Sequence, residues 1–154
     1  MEIYLARHTS VDVPRGTCYG FTDVPLRATF RREATATRLR LGNLTFDHVY
    51  TSPLSRAAKL ATFCGYPAAE RDERLQLWYD DFLNQPTTGG ESFRDLYARV
   101  AAFLDDLNRK DYRRVAIFAH GGVLICAQVY AGAIPLEDGF KHLTSYGGVV
   151  KINI

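Results

Sequence analysis

The sequence has no strong excess of either charge and no apolar run long enough to cross a bilayer. It also lacks any repeat, linker or low-complexity segment. Nineteen Lys and Arg against seventeen Asp and Glu leave a formal net charge of +2, with four histidines counted as neutral. That is too small an imbalance to predict a nucleic acid or a membrane surface as partner. The longest apolar stretch, around Val123 to Ile134, is broken by Gln128 and falls short of a membrane span. No basic-then-apolar leader opens the sequence, which predicts a cytoplasmic location. Cysteine is scarce and odd in number. Cys64 and Cys126 fall in apolar helical stretches, Cys18 falls in a loop, and none has metal-ligand or Cys-x-x-Cys spacing. Reduced thiols follow.

What is present is an ordinary globular composition, 47% hydrophobic and 23% charged, over 154 residues. A chain of this length predicts one domain over residues 1–154, able to bury its own core. Met1-Glu2-Ile3-Tyr4-Leu5-Ala6 reads as a buried strand that ends in Arg7-His8-Thr9. Val115-Ala116-Ile117-Phe118-Ala119 reads as a second, ending in His120-Gly121-Gly122. Between them lies a polar loop from Ser10 to Leu26, punctuated by Pro14, Gly16, Gly20 and Pro25. A helix over about Thr29 to Leu41 carries Phe30, Ala34, Thr37 and Leu41 on one face, and Gly42-Asn43 stops it. His48–Thr51 is a short strand, after which Ser52-Pro53 opens a helix to about Cys64, with serine as cap and proline at the first helical position. That helix carries Arg56 in its first turn.

The stretch from Tyr66 to Gly90, with Trp78, is the least regular. Helical spacing returns with Phe93, Leu96, Val100, Phe103 or Leu104, and Leu107, behind a near capping box of Ser92 and Asp95. A helix from about Val123 to Ala131 and a half-wet strand, Val150–Ile154, complete the pattern. Strands alternating with helices predict an α/β fold, a three-layer α/β/α sandwich around a mainly parallel sheet.

In such a sheet ligands bind outside the carboxyl ends of the strands. A lone histidine is more often a surface or satisfied core residue than a catalyst, and His48 and His142 are read that way. His8, His120, Arg7 and Arg56 are different, because each follows or closes a strand and so reaches one sheet edge. Guanidinium groups match phosphate oxygens bidentately and stay charged. A neutral imidazole nitrogen is a competent nucleophile. Together they predict a pocket for a phosphoryl group.

At these residues the chain resembles the histidine phosphatase superfamily, relatives of the cofactor-dependent phosphoglycerate mutases. Arg7-His8-Thr9, Ser52-Pro53-Leu54-Ser55-Arg56-Ala57, Gly89-Gly90-Glu91-Ser92 and Ala119-His120-Gly121-Gly122 match that family's motifs, in its order. Gly16-Thr17-Cys18-Tyr19-Gly20-Phe21-Thr22-Asp23-Val24-Pro25-Leu26 further resembles a stretch of the alpha-ribazole phosphatases, which remove a 5′-phosphate late in cobalamin assembly. The resemblance implies a phosphoglycerate mutase-like fold and a metal-independent, cofactor-free phosphomonoesterase. In it His8 becomes a phosphohistidine that water hydrolyses, while Arg7, Arg56 and His120 hold the phosphoryl oxygens. Thr9, Tyr19, Gly20 and Gly121 are the expected substrate contacts. Tyr19 either lines the pocket mouth against the base or simply fills space. The implied substrate is a small phosphorylated compound, a ribonucleoside 5′-phosphate, with no nucleic acid or membrane partner; the sequence says nothing of oligomeric state. A broader sugar-phosphate phosphatase or mutase, and a non-catalytic phospho-ligand binder, are the alternatives.

The pattern fails in one place. The family's proton-donating carboxylic acid follows an Arg-Leu pair, but here Arg74-Leu75-Gln76-Leu77 puts a leucine at the acid's position. The Gly-x-Trp-Glu part that comes next in the family is also missing. Either the polypeptide lacks this segment after Leu75, or a lid is left out of the sequence as numbered. The second is preferred, because active-site lids are among the least stable parts of a fold. In the first case Glu73, Asp80 or Asp81 takes the acid's place, and no spacing selects among them.

Overall fold

A computed structural model describes residues 1–15, 17, 19–76 and 91–154 of the chain. Strand β1 (Glu2–Arg7) sends Ile3 and Leu5 to one face of a sheet and Tyr4 and Ala6 to the other. Strand β4 (Arg114–Ala119) alternates likewise, with Val115, Ile117 and Ala119 on the first face and Ala116 and Phe118 on the second. Apolar side chains on both faces of a strand demand cover on both, and helices supply it. On the first face lie α3 (Phe93–Asn108) and α4 (Gly121–Tyr130); on the second lie α1 (Phe30–Leu41) and α2 (Ser55–Phe63). With β2 (His48–Thr51), β3 (Glu70–Arg71) and β5 (Val149–Asn153) the sheet runs in the order β3-β2-β4-β1-β5. Every pairing is parallel except that of β5 with β1. The result is the expected three-layer α/β/α sandwich with a mainly parallel sheet.

Local chemistry explains most boundaries. Ser92 accepts the Asp95 amide and Asp95 answers on the Ser92 amide, a full capping box that starts α3 and is worth roughly 1 kcal/mol. Gly42, at φ +57, ends α1 where the sequence predicts a stop.

Two helix starts differ from expectation. Helix α2 begins at Ser55, not at Ser52-Pro53, because the Ser52 hydroxyl faces His120 and accepts only the Leu54 amide. The free amide of Ser55 donates instead to Asp23 Oδ1 at 3.1 Å, a cap supplied from the distant loop. Helix α4 begins at Gly121, not Val123; Gly121 and Gly122 are helical despite their low propensity, and residues Gly121–Gln128 are buried throughout. Strand β3 and the 3₁₀ turns at Glu73–Leu75 and Leu136–His142 lie where the sequence shows no regular pattern.

Candidate active site

Parallel register brings the motif residues together. Arg7 pairs with Ala119 and Thr51 with Phe118, so the residues that follow emerge side by side from β1, β4 and β2. The His8 amide donates to the Ala119 carbonyl at 3.0 Å and the Ser52 amide to the Phe118 carbonyl at 2.9 Å, which continues the ladder one residue further. His8 and His120 then meet edge to face, their ring centroids 5.1 Å apart. Arg56 follows in the first turn of α2. The amino ends of α2 and α4 both open at this edge, so their dipoles add positive potential to that of the guanidinium groups.

Hydrogen bonding settles what each imidazole can do. His8 Nδ1 lies 2.8 Å from the Thr9 carbonyl, which only accepts, so Nδ1 carries the proton and Nε2 keeps its lone pair. His120 Nε2 lies 2.8 Å from Ser52 Oγ. That oxygen also accepts the Leu54 amide, and its own proton can go to His120 Nε2. In that tautomer His120 Nδ1 is the donor. Both rings are buried, His8 with 2% of its surface exposed and His120 with none. Burial, and then the nearby guanidinium charges, drive the His8 pKa down to about 3, opposed only by the bond to Thr9. Burial, then the neighbouring His8 and the guanidinium charges, hold His120 well below the ordinary imidazole value. Both rings are therefore neutral at neutral pH.

The arginines are held by carbonyls. Arg7 donates from Nη1 to the Thr144 carbonyl at 2.5 Å. Arg56, with no exposed surface, donates from Nη1 to the Thr22 carbonyl at 2.9 Å and from Nη2 to the Gly20 carbonyl at 2.6 Å. These bonds fix the guanidinium planes without neutralising them. Burial lowers both pKa values, yet an arginine stays charged.

Among the described residues, four buried polar side-chain atoms make no hydrogen bond, and all belong to motif residues at this sheet edge: Arg7 Nε, Thr9 Oγ1, Arg56 Nε and His120 Nδ1. A buried donor without an acceptor costs roughly 1–3 kcal/mol, so such a concentration marks a site shaped for an acceptor-rich group. Two fixed positive charges and neutral donors around a free imidazole lone pair suit a tetrahedral dianion.

The other expected residues fall as follows. Gly20, at φ +35, enters the site through its carbonyl on Arg56. Gly121 packs against Arg7, and a Cβ there would stand 3.3 Å from Arg7 Cζ. Tyr19 lies at the mouth, its ring 5.1 Å from Arg56 Cζ and its pKa pushed up to about 12, mainly by burial. His48 pairs with Glu70 at 2.7 Å and His142 is exposed, both away from the cluster. Glu73 is exposed. Glu91 is held by Arg99 through both carboxylate oxygens. Gly16, Cys18, Trp78, Asp80, Asp81, Gly89 and Gly90 lie outside the described residues, and so does Leu77, where the acid was expected. The buried thiols of Cys64 and Cys126 are free, their pKa values pushed up to about 11 and about 12, mainly by burial. Among the described residues no group of three or more His, Cys, Asp or Glu is placed to hold a metal, and no helix is long and apolar enough to cross a membrane.

Sequence reasoning missed Tyr146. Its ring lies 3.9 Å over Arg7 Cζ and 5.5 Å from the His8 ring, and its hydroxyl is 3.3 Å from that of Tyr19. Only part of the signal was in the sequence: Gly147-Gly148 marks a turn before the last strand, but the antiparallel pairing that puts this turn beside the end of β1 is seen only in the structure.

Comparison with known proteins places the chain in a family and agrees with its fold. The family model of the histidine phosphatase superfamily (branch 1) matches residues 3–66 and 60–154. The uncharacterized phosphatase PhoE of Bacillus subtilis (strain 168) is 28% identical over 161 residues, covering 93% of this chain and 81% of that protein. Among solved structures, the alpha-ribazole phosphatase of Shigella flexneri superposes with a TM-score of 0.88 at 22% identity, over 100% of this chain and 91% of that one. A mycobacterial glucosyl-3-phosphoglycerate phosphatase gives 0.84 at 19% identity, over 99% and 89%. At such identities these two share the fold.

Proposed function

This chain belongs to the histidine phosphatase superfamily, and we propose that within it the protein is a phosphomonoesterase using His8 as nucleophile, with alpha-ribazole 5′-phosphate as its substrate. The observation that carries the reading is the meeting of the His8 and His120 rings, centroids 5.1 Å apart, beside the Arg7 and Arg56 guanidinium groups, with Nε2 of His8 left free. In the first step that lone pair attacks phosphorus and the ester P–O bond breaks. The imidazole becomes a cationic phosphohistidine, whose Nδ1–H remains on the Thr9 carbonyl. The alcohol leaves and takes up a proton. In the second step water attacks phosphorus, the P–N bond breaks and His8 returns neutral. Arg7, Arg56 and His120 bind the equatorial oxygens throughout, so catalysis rests on positioning and fixed charge.

The alpha-ribazole assignment is supported by the Tyr19–Leu26 stretch, which is bonded into the site through Arg56 and Ser55. Leu77 at the acid's position favours a second reading, a phospho-ligand binder without turnover. Steady-state kinetics decide between them. The expected result is a kcat/KM for alpha-ribazole 5′-phosphate at least about tenfold above those for phosphoserine and ribose 5-phosphate, abolished by His8→Ala. A higher value for either competitor removes the assignment, and no turnover of any ester leaves the binder.

A further inference from the structure

Two tyrosine rings roof the phosphoryl site, one from each side. Tyr19 stands over Arg56 and Tyr146 over Arg7, and their hydroxyls meet. The placement of Tyr146 is built into the fold. The Gly147 amide donates to the carbonyls of both Arg7 and His8, at 3.2 and 3.1 Å. The Gly147 carbonyl accepts the Thr37 hydroxyl at 2.7 Å and Arg40 Nη1 at 3.0 Å. Gly147 has φ +67, and a Cβ there would meet Thr37 Oγ1 at 3.0 Å, so only glycine fits comfortably. Two residues earlier the Thr144 carbonyl is bound by Arg7. The main chain on both sides of Tyr146 is thus fastened to the nucleophile's strand. The residue keeps 38% of its surface exposed.

The same two rings line a cavity of about 350 Å³, whose other walls are the apolar Val11, Val13 and Pro14 and the polar Ser10, Thr17, Arg15 and Arg27. Its size falls in the range of small-molecule sites, and apolar walls with a few polar groups suit an aromatic body that also carries polar atoms. The pair therefore stands between a hole for the phosphoryl group and a chamber large enough for the alcohol it is esterified to. The two rings are joined by one neutral hydroxyl–hydroxyl hydrogen bond, while each lies against a guanidinium group.

We propose that Tyr146, together with Tyr19, is the specificity clamp of this site, selecting phosphomonoesters whose alcohol carries a planar aromatic ring. The ring is gripped between the tyrosine faces with its body in the chamber. This inference rests on the phosphomonoesterase reading for its kinetic form, and on binding alone for its simpler form.

The test compares wild type with Tyr146→Leu, which keeps apolar bulk without a π face, and Tyr146→Phe, which keeps the face without the hydroxyl. Two quantities are read. One is the ratio of kcat/KM for alpha-ribazole 5′-phosphate to that for ribose 5-phosphate. The other is the calorimetric affinity for unphosphorylated alpha-ribazole. Stacking on one ring is worth about fivefold to tenfold, so Tyr146→Leu is expected to lower both by that much and Tyr146→Phe to keep both within about twofold. Tyr19→Leu reports the same clamp from the opposite side and serves if Tyr146→Leu does not fold. An unchanged ratio and affinity in the leucine variants overturns the clamp. So does an equal loss in Tyr146→Phe, which would move the role to the hydroxyl. If wild type turns over no ester yet loses affinity for the riboside on Tyr146→Leu, the clamp stands and the hydrolytic reading fails.

Discussion

Acidification tests the state of the nucleophile without any substrate. His8 is held near pKa 3 in the folded protein but returns to about 6.5 when the chain unfolds. Its folded value is depressed, so between these pH values the unfolded chain binds a proton that the folded one refuses. The stability tied to this group is therefore intact above about pH 6.5 and is lost as pH falls toward 3. From pH 7 to pH 5 the linkage amounts to about 2 kcal/mol for one histidine. The figure depends little on how far the folded value lies below 5, because the folded ring is neutral at both ends of the range. With 2% of its surface exposed, His8 lacks the solvent screening that would shrink such a shift at a surface. The perturbation is His8→Asn, whose side-chain amide can replace Nδ1–H on the Thr9 carbonyl but cannot titrate. Urea unfolding of both proteins at pH 7 and pH 5 gives the comparison, in which carboxylate contributions cancel. Wild type is expected to lose about 2 kcal/mol more than the variant over that interval. Equal losses would refute the neutral, buried nucleophile, and with it the assignment of Nε2 as a free lone pair.

Three further outcomes follow from the site. Gly121→Ala places a Cβ 2.6 Å from Leu143 Cδ1 and 3.3 Å from Arg7 Cζ and Nε. Leu143 is half exposed and can yield, so this variant is expected to stay folded while kcat/KM drops at least about tenfold through a displaced Arg7, with thermal melting as the control. Asp23→Ala strips the cap from the Ser55 amide and is expected to cost about 1 kcal/mol in urea unfolding, against none if water serves as well. With Leu77 where a proton donor is expected, p-nitrophenyl phosphate should be hydrolysed about 10²–10⁴-fold faster than an alkyl 5′-phosphate, and equal rates would show that a donor is in place.

How much of this was legible beforehand follows from range. The alternation of Ile3, Leu5, Val115 and Ile117 against Tyr4, Ala6, Ala116 and Phe118 is local, and it announces a sheet covered on both faces. His8 and His120 could be brought to one edge from sequence because each directly follows a strand, and Arg56 because it opens the helix that follows one; parallel register does the rest. The start of α2 was misread because its cap, Asp23, is 32 residues away and its local candidate, Ser52, is engaged by His120. The helical state of Gly121 and Gly122 was hidden by glycine's poor propensity, which packing of α4 against the core and of Gly121 against Arg7 overrides. Tyr146 went unseen because its role depends on strand β5 running antiparallel to β1, a choice that the alternation of Val150–Ile154 does not encode.

The central claim is a covalent phosphate on His8. Rapid mixing with a ³²P-labelled monoester, a quench that avoids acid, and peptide mapping by mass spectrometry should place one phosphate per chain on the peptide that contains His8. The label should vanish in His8→Asn and persist in Tyr146→Phe. Turnover with no labelled imidazole, or with the label on His120, would contradict the account.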